Sequence, residues 1–244
     1  MKSKKGAVVT VLTKLAKIDL LEPEVISLIG NDYDTVLLAK KCFQGLLTEA
    51  VTESFNQVVY FDVDDLDDVV THNALLRNCL RQHIADAVSC YLPECCFVFC
   101  EDERSIELVA EAIEGMGVDG PMQDKVSLFR DKDKMKNFVK QYGIAVPEHV
   151  VNFTSFDYPN LVEMLGSPFV IKPLSGSGSL GFHLISTKDE YMSFLSYVDN
   201  VSQYHAETYI EGDLFHIDSV VVNGKVVANC VSEYIHPVSS LLDG

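Results

Sequence analysis

Apolar residues fall along this chain in short runs separated by amphipathic stretches, and the first third is patterned most clearly. DTVLLAK (34–40), QVVYFDVD (57–64) and ECCFVFC (94–100) are β-rich runs of strand length. Helical stretches are predicted over 43–55, 66–83 and 103–114, the last because Ile106, Val109, Ala110 and Ile113 recur at helical spacing before Gly115 and Gly117. Strands alternating with helices predict an open parallel α/β sheet. Such sheets take ligands beyond the carboxyl ends of their strands, where Glu101, Asp102 and Glu103 follow the third run. A capping acidic turn is an equal reading of those three.

The character changes at VDGPMQ (118–123), where Gly120 and Pro121 punctuate the chain. A domain over 1–120 and a second over 121–244 are expected. Asp131 caps a predicted helix with an apolar face of Met135, Phe138, Val139 and Tyr142, closed by Gly143. Lys132 and Lys134 lie in its first turn, against the helix dipole. They suit an anionic ligand, or are exposed lysines softened by Asp131 and Asp133.

Next comes SPFVIKPLSGSGSLGFHLIS (167–186), an apolar strand, a loop of alternating glycine and serine, and a second strand. Period two puts Val170 and Lys172 on one face and Phe169 and Ile171 on the other. A lysine leaving an apolar strand beside backbone amide donors suits a bound phosphate; an edge-strand lysine that discourages aggregation is the alternative. Gly176, Gly178 and Gly181 match G-x-G-x-x-G, but no helix opens at the last glycine, and the next helix signal is the Thr187–Glu190 capping box. That disfavours a dinucleotide fingerprint. The lysine precedes the loop, and neither kinase nor Walker A motifs occur. Farther on, LFHIDSVV and KVVANCV flank Asn223-Gly224, a hairpin signal, with His216 and Asp218 on one face. Those two line a ligand cleft or a wet outer face.

Composition narrows the partners. The 244 residues are 48% hydrophobic, enough for a sizeable core, and carry a formal charge of −17, unlike a general nucleic-acid binder. The apolar window near the start is broken by Lys14 and Lys17, so neither a membrane span nor a secretory signal is expected. Seven cysteines cannot all pair within the chain, which suggests a reducing, cytoplasmic compartment; the crowded four, Cys90, Cys95, Cys96 and Cys100, lack CxxC spacing and read as core thiols, with a metal cluster as the alternative. DVDDLDD (62–68) lacks calcium-loop spacing and reads as a solvated strand end.

Three blocks in order, FRDKDKMKNFVKQYGIAVP, SPFVIKPLSGSGSLG and AETYIEGDLFHIDSVVVNGKVV, resemble the first half of an ATP-grasp fold, as in biotin carboxylase, carbamoyl phosphate synthetase and amino-acid ligases. The preceding segment resembles the α/β domain found before it in these enzymes. The resemblance implies an open parallel pre-ATP-grasp domain followed by an incomplete ATP-grasp domain. It implies ATP phosphate contacts from Lys132 and Lys172 and a phosphate-covering loop containing Ser175, Gly176, Ser177, Gly178, Ser179 and Gly181. It further implies an adenine connector of Glu207, Tyr209 and Ile210, and ribose or phosphate contacts from Glu211 and His216. The family's magnesium ligands fall later than this hairpin, so they are expected beyond Gly244, with no metal ligand here and little turnover from this chain alone. The implied function is an ATP- and Mg2+-dependent carboxylate-amine ligase acting through an acyl phosphate, with a small-molecule carboxylate as substrate. A non-catalytic ATP-binding or regulatory module is the alternative, and a homodimer is left open.

Overall fold

The computed structural model describes residues 4–63, 69–176 and 180–235. The chain divides into two compact units, Met1–Phe129 and Arg130–Gly244.

In the first unit β1 (Ala7–Leu12), α1 (Pro23–Ile29), β2 (Asp34–Lys40), α2 (Glu49–Ser54), β3 (Gln57–Phe61), α3 (Val69–Val88), β4 (Phe97–Cys100), α4 (Ile106–Ile113) and α5 (Gln123–Arg130, its last residue in the second unit) follow one another. The strands form a parallel sheet in the order β3-β2-β1-β4. Alternate residues of β2 serve two cores. Val36 and Leu38 pack with Leu76, Leu80 and Ile84 of α3 and Val109 and Ile113 of α4, while Leu37 and Ala39 pack with Ile26 of α1 and Val51 of α2. A strand buried on both faces reads as the near-continuous apolar run DTVLLAK for that reason.

Two sequence expectations need correction here. AVVTVL was read only as an interrupted apolar window, yet it is β1, an interior strand paired with both β2 and β4. The helix expected over 43–55 is only α2, because a 3-10 turn at Lys41–Phe43 ends and the chain restarts at Thr48, whose side chain caps Val51 N. The helix expected over 66–83 runs on to Val88, and part of DVDDLDD lies outside the described residues.

The second unit contains α6 (Lys132–Lys140), β5 (His149–Val151), α7 (Tyr158–Leu165), β6 (Phe169–Pro173), β7 (His183–Ile185), α8 (Lys188–Tyr197) and β8 (Tyr204–Thr208). An antiparallel sheet runs β5-β8-β6-β7. One face is apolar: Phe169, Ile171, Ala206 and Ile185 pack against Leu161 and Leu165 of α7 and Tyr191 and Phe194 of α8. Each such large side chain contributes about 1.5–3 kcal/mol by leaving water. The capping box at α8 forms, with Thr187 accepting from Glu190 N and Glu190 from Thr187 N. After this sheet, β9 (Phe215–Val222) and β10 (Lys225–Glu233) make the expected hairpin around Asn223-Gly224, its residues largely exposed on both faces.

Candidate functional site

The opposite face of the second sheet is polar. In the β6/β8 pair Lys172 stands across from His205 and Val170 across from Glu207, and in the β5/β8 pair His149 stands across from Glu207. Paired residues share a face, so His149, Lys172, His205 and Glu207 all emerge on the side away from the apolar core.

Helix α6 covers this face. Asp131 starts it, accepting from Asp133 N at 2.9 Å and Lys134 N at 3.2 Å. Its predicted apolar stripe faces mostly outward: Met135 and Phe138 are exposed, Tyr142 is 71% exposed and Val139 is half-buried, while Lys136 is the helix's buried residue. The reason lies in the sheet beneath, where Glu207 and His205 demand polar partners and apolar side chains would leave them unpaired.

Lys136 pairs with Oε2 of Glu207, and Lys172 pairs with Oε1. His205 Nε2 lies 3.1 Å from the same Oε2 and 2.9 Å from Lys136 Nζ. Beside them, Asp133 Oδ1 is 3.0 Å from His149 Nε2. Burial alone pushes the Glu207 carboxyl up, but donors from His205, Lys136 and Lys172 outweigh it and hold the group well below the usual carboxylate range. Burial lowers the Lys136 ammonium and the His205 imidazole, and Glu207 opposes both shifts. His205 is therefore neutral at pH 7. Lys136 and Lys172 then share one carboxylate at Glu207, and Asp133 is a second carboxylate close enough to act on Lys136.

The glycine loop leaves β6 directly from this cluster. Lys132 N donates to Leu174 O at 3.0 Å, Lys132 Nζ to Gly176 O at 3.1 Å, and Arg130 to Ser175 Oγ at 3.3 Å. Gly181 closes the loop with φ of 73°. Ser177, Gly178 and Ser179 lie outside the described residues. Thus Lys132, Ser175 and Gly176 come together, as do Lys172 and Glu207. Tyr209 and Ile210 are exposed just past β8, Glu211 is exposed, and His216 instead sits 3.2 Å from Asp218 on the hairpin. β6 lies between β8 and β7, and Lys172 stands one residue past the part of β6 that pairs with β7.

Lys136, His205 and Arg130 were not among the expected residues. Signals existed for two: Lys136 is four residues after Lys132 on the same helix face, and His205 is two before Glu207 on the same strand.

No family model matches the chain. It is 25% identical over 230 residues to an L-arginine-specific L-amino acid ligase of Bacillus subtilis, covering 89% of this chain and 52% of that enzyme. The chain spans about half the length of the curated relatives it matches, 52% and 40% of two of them. An L-amino acid ligase of Bacillus licheniformis superposes with a TM-score of 0.63 at 17% identity, over 92% of this chain and 49% of that one. The N5-carboxyaminoimidazole synthetase of Staphylococcus aureus complexed with ADP gives 0.59 at 17% identity, over 97% and 57%. In sequence and in fold, the chain is similar to ATP-grasp ligases over part of their length.

Proposed function

We propose that the second unit binds ATP as the nucleotide-holding part of an ATP-dependent carboxylate-amine ligase, and that the first unit is the pre-ATP-grasp domain. The observation that carries this reading is the placement of two lysines at the glycine loop, Lys172 at the end of β6 and Lys132 with its Nζ on Gly176 O. A chain with a net charge of −17 repels anions at long range, so a local pair of lysines is what a polyphosphate requires.

In this reading Lys172 and Lys132 contact phosphates, and the loop of Ser175, Gly176, Ser177, Gly178, Ser179 and Gly181 covers them with backbone amides. Glu207, Tyr209 and Ile210 hold the adenine, and Glu211 and His216 the ribose or phosphates. ATP supplies the phosphoryl group that turns a substrate carboxylate into an acyl phosphate, which an amine then attacks. The lysines act by position and charge, binding and orienting the phosphates rather than bonding to them. Among the described residues no group of three or more His, Cys, Asp or Glu is placed to hold a metal ion. The roles assigned to this chain are phosphate and base binding, with Mg2+ as the partner of the nucleotide.

The test is thermal unfolding of the purified chain with and without MgATP, beside Lys172→Ala. A rise in midpoint for wild type that is lost in the variant supports the reading. If MgATP leaves both midpoints unchanged, the nucleotide assignment is wrong.

A further inference from the structure

Glu207 uses its two carboxylate oxygens differently. Oε2 is held from the inside by Lys136 and by His205, whose side chains are 7% and 0% exposed. Oε1 faces Lys172, whose side chain is 26% exposed. Of these contacts, the outer one is open to exchange with an incoming solute.

A phosphate that recruits Lys172 takes a cation away from a buried carboxylate. Abandoning a buried charge is ordinarily prohibitive, because the remaining partner is left unpaired in a poorly solvated place. Here it is not abandoned: Glu207 retains an ammonium and an imidazole N–H after Lys172 leaves. The imidazole proton belongs on Nε2, since Nδ1 is buried with no hydrogen-bond partner among the described residues and a bare lone pair there is the smaller penalty.

We propose that Lys136, supported by His205, is a positioning residue that keeps Glu207 ionised and in place, so that Lys172 can exchange between Glu207 and the phosphate of an incoming nucleotide. The identity of the anion rests on the nucleotide reading above, while the exchangeability of Lys172 is a property of the ligand-free protein. The opposed shifts fit this role, because burial lowers Lys136 and the pairing with Glu207 restrains that fall.

The experiment has a ligand-free arm and a nucleotide arm. In the first, acetylation of Lys172 by a water-soluble amine-reactive ester is followed by mass spectrometry in wild type, Lys136→Met and Lys136→Arg. With Lys136→Met, Lys172 becomes the one ammonium left to Glu207, and its labelling is expected to slow about tenfold, the equivalent of one pKa unit of tighter pairing. Arginine restores the wild-type rate. Equal labelling in all three proteins overturns the proposal. Should Lys136→Met fail to fold, the double variant Lys136→Met with Glu207→Gln carries the arm: no carboxylate then holds Lys172, labelling at or above the wild-type rate is expected, and slowed labelling overturns the proposal.

In the second arm, calorimetric binding of MgATP and of adenosine is compared. Lys136→Met is expected to weaken MgATP about tenfold and adenosine little; an equal loss for both would show a merely structural role. Slowed labelling in a wild-type background that never binds MgATP would sink the nucleotide reading alone and leave the exchange of Lys172 to another anion.

Discussion

His205 stands directly across from Lys172 in the β6/β8 pair, and it shares its strand face with Glu207 two residues later. This one register relationship makes the second sheet two-sided. Phe169, Ile171 and Ala206 go to an apolar core, and Lys172, His205 and Glu207 go to a polar layer under α6. The sheet thereby holds a titratable cluster in its interior, and stability must depend on pH in a way set by that cluster.

Acid is expected to act in two stages. His205 and His183 are both lowered by burial from the ordinary histidine value, so as pH falls below about 6.5 the unfolded chain takes up protons that the folded chain refuses. Stability therefore declines from about pH 6.5 downward. Glu207 is held below its ordinary value, so its contribution is fully present above about 4.3 and is lost as pH falls below that toward the folded value. Urea midpoints measured from pH 8 to pH 3.5 should show both declines. Replacing His205 by Gln should flatten the first; an upper stage of full size in both His205→Gln and His183→Gln would rule out these two residues as its source.

Removing the shared carboxylate should be more damaging than its single charge suggests. In Glu207→Gln, Lys136 remains buried without its anion while Lys172 adds repulsion. Breaking a buried pair from one side costs about 3–5 kcal/mol, with the lower end expected here because Lys172 reaches solvent. The double variant Glu207→Gln with Lys136→Met removes the stranded ammonium and should recover much of the loss. A double-mutant cycle from denaturant unfolding reads the coupling directly, and an additive outcome would contradict the pairing.

The N-terminus of α6 gives a third expectation. Asp131 accepts from two backbone N–H groups and, with Asp133, offsets Lys132 and Lys134 in the first turn. Asp131→Ala should destabilise by about 1 kcal/mol, and Asp131→Asn by less, because asparagine keeps the cap and loses only the charge. The measurement is the shift in urea midpoint at unchanged slope.

These elements differ in how openly the sequence announces them. DTVLLAK is legible because a strand buried on both faces needs apolar residues at every position, and Val36 and Leu37 serve different cores. AVVTVL is also an interior strand, but Thr10 and the lysines near it leave its apolar run shorter and less distinct. The inward face of α6 is not legible in the helix itself, since Met135, Phe138, Val139 and Tyr142 form a sound apolar stripe and nothing within the helix says that the surface below is polar. That information sits about 70 residues away, in His205 and Glu207, and becomes available only when β8 is registered against β6. Lys172 was legible from its own strand because alternation alone separates it from Phe169 and Ile171.

The return of the glycine loop into β7 offers the sharpest geometric prediction. Gly181 adopts φ of 73°, and a Cβ added there would lie 2.9 Å from Cγ of Pro173, 3.2 Å from its Cδ and 3.4 Å from the Tyr204 hydroxyl. Gly143 has nearly the same backbone, φ of 76°, and among the described residues nothing lies within 4 Å of the corresponding Cβ. Alanine at either position incurs the left-handed penalty of about 1–2 kcal/mol. At Gly181 it must also displace a proline ring, which has no rotamer to escape into. Gly181→Ala is therefore expected to be the more destabilising of the two in urea unfolding. It is also expected to reduce the MgATP-induced rise in thermal midpoint, while Gly143→Ala leaves that rise near wild type. Equal losses of stability in the two variants would mean that the Pro173 contact does not constrain the loop.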